Sequence, residues 1–230
     1  MLLRVNRETK TAERMRGVQL SEFGLDERAL QSILFGSLDR LIGDDELLML
    51  QQSRAWQEEP DLLALDREGR LFIFEIKVWE AHSENLLQVL RYGQKFGGHR
   101  HEDLERIWRR DHRDESLLEA HKAKFGSSLT PEAFNQRQVF VVLTNGLDFR
   151  TREAVRYWRS SGLDVRPWVY RAYRGEADQL LLEISPFRVA DDPYEDIAQG
   201  FYIVNTNLRN DPQDDKAMLA ERNVAAYYAP

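Results

Sequence analysis

Residues 58–77 carry the clearest pattern in the chain: an apolar block, Leu62-Leu63-Ala64-Leu65, a polar turn, Asp66-Arg67-Glu68-Gly69-Arg70, and a second apolar block, Leu71-Phe72-Ile73-Phe74. Two apolar runs around a Gly-containing polar turn predict a hairpin, with Gly69 in the left-handed position of a three-residue loop. The register then pairs Leu65 with Leu71, Leu63 with Ile73 and Asp61 with Glu75. Both faces are apolar, which places these strands in the middle of a covered sheet. Upstream, Leu30, Ile33, Leu34, Leu38 and Leu41 recur at helical spacing over Leu25 to Leu41, with Gly43-Asp44-Asp45 as the stop and a strand over 46–51.

Leu2 to Val5 reads as a short strand followed by a charged connection. Downstream, Ser83 caps a helix that runs through Phe96 and closes at Gly97-Gly98. Polar helices follow over 101–110, 115–125 and just after Thr130-Pro131, read as an insertion or lid. Residues 137–144 form a buried strand and 149–161 a helix, with strands over 163–170 and 179–184. Residues 1–188 thus form one domain, 189–199 a linker, and 200–230 a C-terminal strand and helix that resemble the start of a truncated PUA-like module.

The hairpin register sets Asp61 directly opposite Glu75, with Lys77 two residues on and on the same face. Like charges facing each other across a sheet are destabilising, more so in an apolar setting. A divalent cation between the two carboxylates resolves the conflict, and an all-oxygen set suits Mg2+ or Mn2+. The plainer alternative is a surface hairpin whose charged end is neutralised by Lys77.

Composition narrows the field. The 230 residues are 42% hydrophobic, enough for one full core, and the absence of cysteine removes disulfides and thiolate zinc sites. No signal-like or membrane-spanning apolar run stands out, so a soluble cytoplasmic protein is expected. The net charge of −7 argues against a coat of non-specific nucleic-acid binding. Within it, however, Arg150, Arg152, Arg156 and Arg159 open an arginine-rich stretch interleaved with Tyr157, Trp158, Trp168, Tyr170 and Tyr173. Arginines neutralise phosphates and exposed aromatics stack on unpaired bases; the alternative is a helix whose aromatics face the core. His99, His101, His112 and His121 lack metal-ligand spacing and are expected at the surface.

Pro60-Asp61, a spacer and Glu75-Ile76-Lys77 resemble the signature of the PD-(D/E)xK nuclease superfamily. Gln88-Val89-Leu90-Arg91-Tyr92 resembles the Q-xxx-Y motif of its RecB-type branch, and Leu25 to Gln31, with Glu27, resembles the glutamate motif on the first helix. The turn from Leu65 to Leu71 is similar to that of the archaeal and actinobacterial mismatch and single-strand endonuclease group and its relatives. The resemblance implies an α/β restriction-endonuclease-like fold: a central mixed β-sheet flanked by helices, here with a helical insertion. It implies that Asp61, Glu75 and the Ile76 backbone carbonyl hold Mg2+ or Mn2+, with Glu27 completing the shell directly or through water. It further implies that Lys77 orients the attacking water, and that Gln88 steadies the site or touches phosphate with Tyr92 one turn away. Val78-Trp79 depart from the pattern, since relatives often carry a further basic residue there.

The function so implied is hydrolysis of DNA phosphodiester bonds, in repair or in defence against foreign DNA. Two readings of other classes compete: a non-catalytic nucleic-acid-binding module on the same fold, and a protein-interaction element built on the polar helices. A homodimer is compatible with either.

Overall fold

The computed structural model describes residues 2–38, 46–52 and 59–187. The expected linker and C-terminal segment, the stop at Gly43-Asp44-Asp45 and the far end of the first helix lie outside them. In chain order the elements are β1 (Leu3–Asn6), β2 (Thr11–Arg14), β3 (Gly17–Val18), α1 (Glu27–Phe35), β4 (Leu48–Gln52), β5 (Leu62–Leu65) and β6 (Leu71–Ile76). Then come α2 (Ser83–Phe96), α3 (His101–Trp108), α4 (Leu117–Phe125), β7 (Gln138–Thr144), α5 (Phe149–Ser160), β8 (Asp164–Arg174) and β9 (Leu180–Pro186). Helix, three strands, helix, strand, helix, strand is the order expected for a restriction-endonuclease-like core.

A seven-stranded mixed sheet forms the centre, in the order β3-β8-β7-β6-β5-β4 with β9 also paired to β8. β6, β7 and β8 are parallel, and β4, β5 and β9 run antiparallel to their neighbours. The hairpin register is the expected one, Leu63 facing Ile73 and Leu65 facing Leu71. Every residue of β5 and β6 is buried. The turn closes because Gly69, at φ 77°, takes the left-handed conformation, while Asp66 Oδ1 accepts from the Glu68 and Arg70 amides.

One face of the sheet buries Leu62, Ala64, Phe72, Phe74 and Ile76 with Val139, Val141 and Leu143 against Leu20, Leu30, Leu34 and Leu38. Against the other face, α2 lies on β6 and β7 and α5 on β8. Gly93 of α2 comes so close to β7 that a Cβ there would sit 2.4 Å from Phe140 Cε1.

Four expectations need correction. The charged connection after β1 is itself paired: β1 and β2 form a separate two-stranded ribbon, exposed throughout. The first helix ends at Phe35, where Gly36 caps it. The polar helices are not a loose lid: Leu104, Ile107, Trp108, Leu117 and Phe125 are buried, and α3 rests on β4. His121 is 1% exposed, among Phe125 and Phe134, with Nε2 bonded to the Asp66 carbonyl. It locks α4 to the hairpin turn. His99, His101 and His112 are all half-buried. No helix among the described residues is long and apolar enough to cross a membrane.

Candidate active site

The regular ladder between β5 and β6 ends at Leu62 facing Phe74; the Asp61 amide also donates to the Phe74 carbonyl at 3.0 Å, an irregular step one residue off the expected pairing of Asp61 with Glu75. The two acids are nonetheless close enough for the Asp61 charge to act on Glu75. Beyond β6, the Lys77 amide donates to the Leu143 carbonyl of β7 at 2.8 Å. Alternation then turns the amide of Ile76, and its carbonyl, toward the β5 side. The Ile76 amide indeed donates to Asp61 Oδ2 at 2.6 Å. The backbone at Ile76 and the Asp61 carboxylate thus share one small space.

Asp61 Oδ1 accepts from Gln31 Nε2 at 2.7 Å, so α1 holds the second oxygen. Lys77 Nζ lies 2.8 Å from Glu75 Oε1 and 3.1 Å from Glu27 Oε1, bridging the sheet to the first turn of α1. Lys77 Nζ and Glu75 Oε1 form a close ion pair, and among the described residues no other group donates to either Glu75 oxygen. Glu27 Oε2 is likewise buried and unpartnered. Such atoms cost stability unless something else satisfies them.

The charges respond to this crowding. Burial pushes the Glu75 carboxyl up to about 7, with Asp61 adding and Lys77 opposing. Burial likewise pushes Asp61 up to about 6, against the Ile76 amide and Lys77. Burial alone would lower the Lys77 ammonium, but Glu75 and Glu27 outweigh it and hold it above its ordinary value. A buried acid pair beside a firmly protonated lysine results.

The donor set fits a hard divalent cation. Asp61, Glu75 and the Ile76 carbonyl are all oxygen donors, and beyond the Lys77 ammonium no group among the described residues engages the Glu75 oxygens. Among the described residues no group of three His, Asp or Glu side chains is placed to hold a metal ion, though the Glu27 charge acts on both Asp61 and Glu75. Its place is beside Lys77. Gln88 Nε2 donates to Tyr92 Oη at 2.8 Å, not to the carboxylates. Tyr92 is buried; burial raises its phenol, Gln88 opposes this, and the Glu75 and Asp61 charges add to it.

The arginines sequence reasoning favoured are on α5. Arg156 pairs with Glu153, Arg159 Nε bonds the Val165 carbonyl, and Arg152 Nε reaches back to the Asp148 carbonyl at 3.4 Å. Arg150 is exposed. Of the interleaved aromatics, Trp168, Tyr170 and Tyr173 are buried, and Tyr157 is exposed. The core explanation therefore holds for those three. What sequence reasoning missed is Gln31, four residues after Glu27 and so on the same helix face. Tyr170 was read only as part of the aromatic stretch; its hydroxyl donates to the Val78 carbonyl at 2.6 Å and fixes the segment after Lys77.

Glu27, Gln31 and Asp61 open onto a cleft of about 770 Å³ that also meets Leu20, Val78, Trp79 and Asn145. No family model and no curated protein matches the chain. Among solved structures, the EndoMS–dsDNA2 complex is similar over 67% of this chain, with a TM-score of 0.31 and 14% identity. The match spans 46% of that chain, less than half its length.

Proposed function

We propose that the protein is a metal-dependent endonuclease that hydrolyses DNA phosphodiester bonds. The observation that carries this reading is the convergence of Asp61, Glu75 and Lys77 at the shared end of β5 and β6, with the buried Glu75 carboxylate engaged, among the described residues, by Lys77 alone. Asp61, Glu75 and the Ile76 carbonyl would hold Mg2+ or Mn2+, and Glu27 would contribute through a water. Such a cation lowers the pKa of bound water and offsets charge on the phosphoryl oxygens.

The protein's own groups do the rest. Lys77 stays protonated near neutral pH, so it acts as a donor and not as a base. Its ammonium, fixed between Glu75 and Glu27, can orient the attacking water or bind a non-bridging phosphate oxygen. Gln31 and the Ile76 amide fix both oxygens of Asp61, which sets the carboxylate plane before substrate arrives. Gln88 supports the site through Tyr92. A structural ion pair would account for Lys77 and Glu75 but not for a second buried acid held near them.

Purified protein incubated with plasmid, single-stranded and branched DNA and Mg2+ or Mn2+ should nick or cut at least one. Asp61→Ala and Lys77→Ala should abolish cutting while the circular dichroism spectrum is kept. A second reading, a binding module that no longer cuts, draws on the fact that protein donors already occupy both Asp61 oxygens. Metal-independent DNA affinity that survives Glu75→Gln, with no cutting under either metal, would favour it.

A further inference from the structure

The central sheet has two edges, and the chain treats them differently. At the β4 edge the pairing with β5 slips between Met49 and Gln51, and α3 rests on the strand. A bulge and a covering helix are two ways of keeping an edge from pairing with another chain. The opposite edge is β9, which pairs with β8 alone among the described residues. Its pairing runs without a slip from Arg174 facing Leu180 to Trp168 facing Pro186. No lysine or arginine lies on β9, and its one charge, Glu183, serves its own chain, accepting from the Tyr173 hydroxyl and pairing with Arg171. Pro186 blocks only the last position.

The hydrogen-bond phase of this strand decides which groups it offers. The Gly175 amide donates to the Gln179 carbonyl at 2.7 Å, so these two residues form a hydrogen-bonded pair and the next pair, Arg174 with Leu180, is non-hydrogen-bonded. Alternation then turns the N–H and C=O groups of Leu180, Leu182 and Ile184 away from β8, toward the open edge. The same three residues lay their side chains against the main core and stay half-buried there. On the other face Leu181 is 39% exposed. Outward backbone groups beside a half-covered apolar row are a template for an incoming strand.

We propose that β9 pairs antiparallel with β9 of a second copy of this chain, about a two-fold axis at Leu182, joining the two sheets into one. A second copy fits because one register satisfies the edge completely. With Leu182 opposite its own counterpart, Leu180 falls opposite Ile184 of the partner subunit, and each outward N–H meets a carbonyl. The apolar row continues across the interface, and Glu183 falls opposite Leu181 of the partner subunit. Shifting the partner by two residues one way would set Glu183 against its own counterpart, like charges opposed. Shifting it the other way would leave Ile184 unpaired. The inference stands apart from the nuclease reading: β6 runs parallel to β8, so antiparallel joining points the two acid pairs in opposite directions and each copy keeps its own site.

Sedimentation equilibrium of the full chain over a dilution series should show monomer and dimer in exchange. Leu182→Pro removes an N–H that points away from β8, so the ladder within the chain is kept while the dimer loses two hydrogen bonds. Its dissociation constant should rise about thirtyfold. Leu182→Ala, which keeps the N–H, should weaken the dimer less. The chain has no cysteine, so single substitutions read the register directly. Under mild oxidation Leu182→Cys should form a disulfide-linked dimer, since Cα atoms of a hydrogen-bonded pair lie about 5.5 Å apart. Leu180→Cys alone should stay unlinked, and Leu180→Cys combined with Ile184→Cys should link. A chain that is monomeric throughout the series, with Leu182→Cys unlinked, overturns the proposal. So does a dimer that Leu182→Pro leaves intact, or one in which Leu180→Cys links as readily as Leu182→Cys.

Discussion

Replacing Glu75 by glutamine tests the electrostatic core of the site without changing its shape. The carboxyl titrates at about 7 in the fold against 4.5 as its ordinary value. Between those values the folded state binds the extra proton and the unfolded state does not, so stability falls as pH rises through that window. Below about pH 4.5 both states are protonated and nothing is lost; above about pH 7 the loss levels off near 3 kcal/mol. From pH 5 to pH 8 the metal-free wild type should lose about 2.5 kcal/mol through this group. Asp61, pushed up to about 6, acts in the same direction over a lower window.

Glu75→Gln removes the Glu75 share while Lys77 keeps Glu27 as its counter-ion. The variant should therefore show a much flatter pH dependence than wild type and match or exceed its stability at pH 8. A divalent cation reverses the ranking. At a hundredfold excess over its dissociation constant, Mn2+ should stabilise wild type by about 2.7 kcal/mol and the variant far less. Urea unfolding followed by tryptophan fluorescence at pH 5 and pH 8, with and without Mn2+, reads all four terms. An unchanged pH dependence in Glu75→Gln would refute the buried-acid argument. Equal Mn2+ stabilisation of both proteins would refute the placement of the cation.

Gln31→Ala frees Asp61 Oδ1 from its donor at 2.7 Å; kcat should fall at least tenfold while the melting temperature drops by only a few degrees, as kinetics and calorimetry would show. Gly93→Ala would gain helix propensity but force a methyl to within 2.4 Å of Phe140, so equilibrium unfolding should show a net loss of about 1–2 kcal/mol. His121→Ala removes the bond to the Asp66 carbonyl and opens a cavity beside Phe125 and Phe134. A loss of about 2–4 kcal/mol with faster hydrogen exchange in α4 and the hairpin turn is expected.

The hairpin was legible because its information is local. Alternation and the Gly69 turn fix the same register, and the structure has it from Leu65 facing Leu71 to Leu62 facing Phe74; at Asp61, whose amide also bonds the Phe74 carbonyl, the ladder becomes irregular. The parallel strands β7 and β8 were legible as apolar runs between turn signals, and the order of elements followed. The β1–β2 ribbon was not: two four-residue stretches of mixed charge bury nothing, so no hydrophobic period marks them. The polar helices misled for the converse reason. Their buried residues, such as Leu104, Ile107 and Trp108, are few and sit among many charges, so composition suggested a lid where packing made a buttress.

The stretch expected to meet nucleic acid shows where a one-dimensional reading stops. Arginine and aromatic density picked out residues 150–174, yet density along the chain says nothing about which side of a strand a ring occupies. β8 points Trp168, Tyr170 and Ala172 into the core and leaves Arg171 and Arg174 outside, while the arginines of α5 are largely tied to neighbouring carbonyls and carboxylates. Arg14 and Arg28 are unremarkable in sequence and 14 residues apart. They line joined clefts only because β3 pairs with β8 and brings the N-terminal segment to the edge where α1 places Glu27. Trp79 was read only as a departure from a basic position. Its exposure follows from the two hydrogen bonds that hold the backbone at Val78 and Trp79, and those arise from Thr144 on β7 and Tyr170 on β8. Residues from two strands thus decide what a third presents to solvent. A site's acids can be found by spacing within one hairpin; what lies beside them is set by the whole sheet.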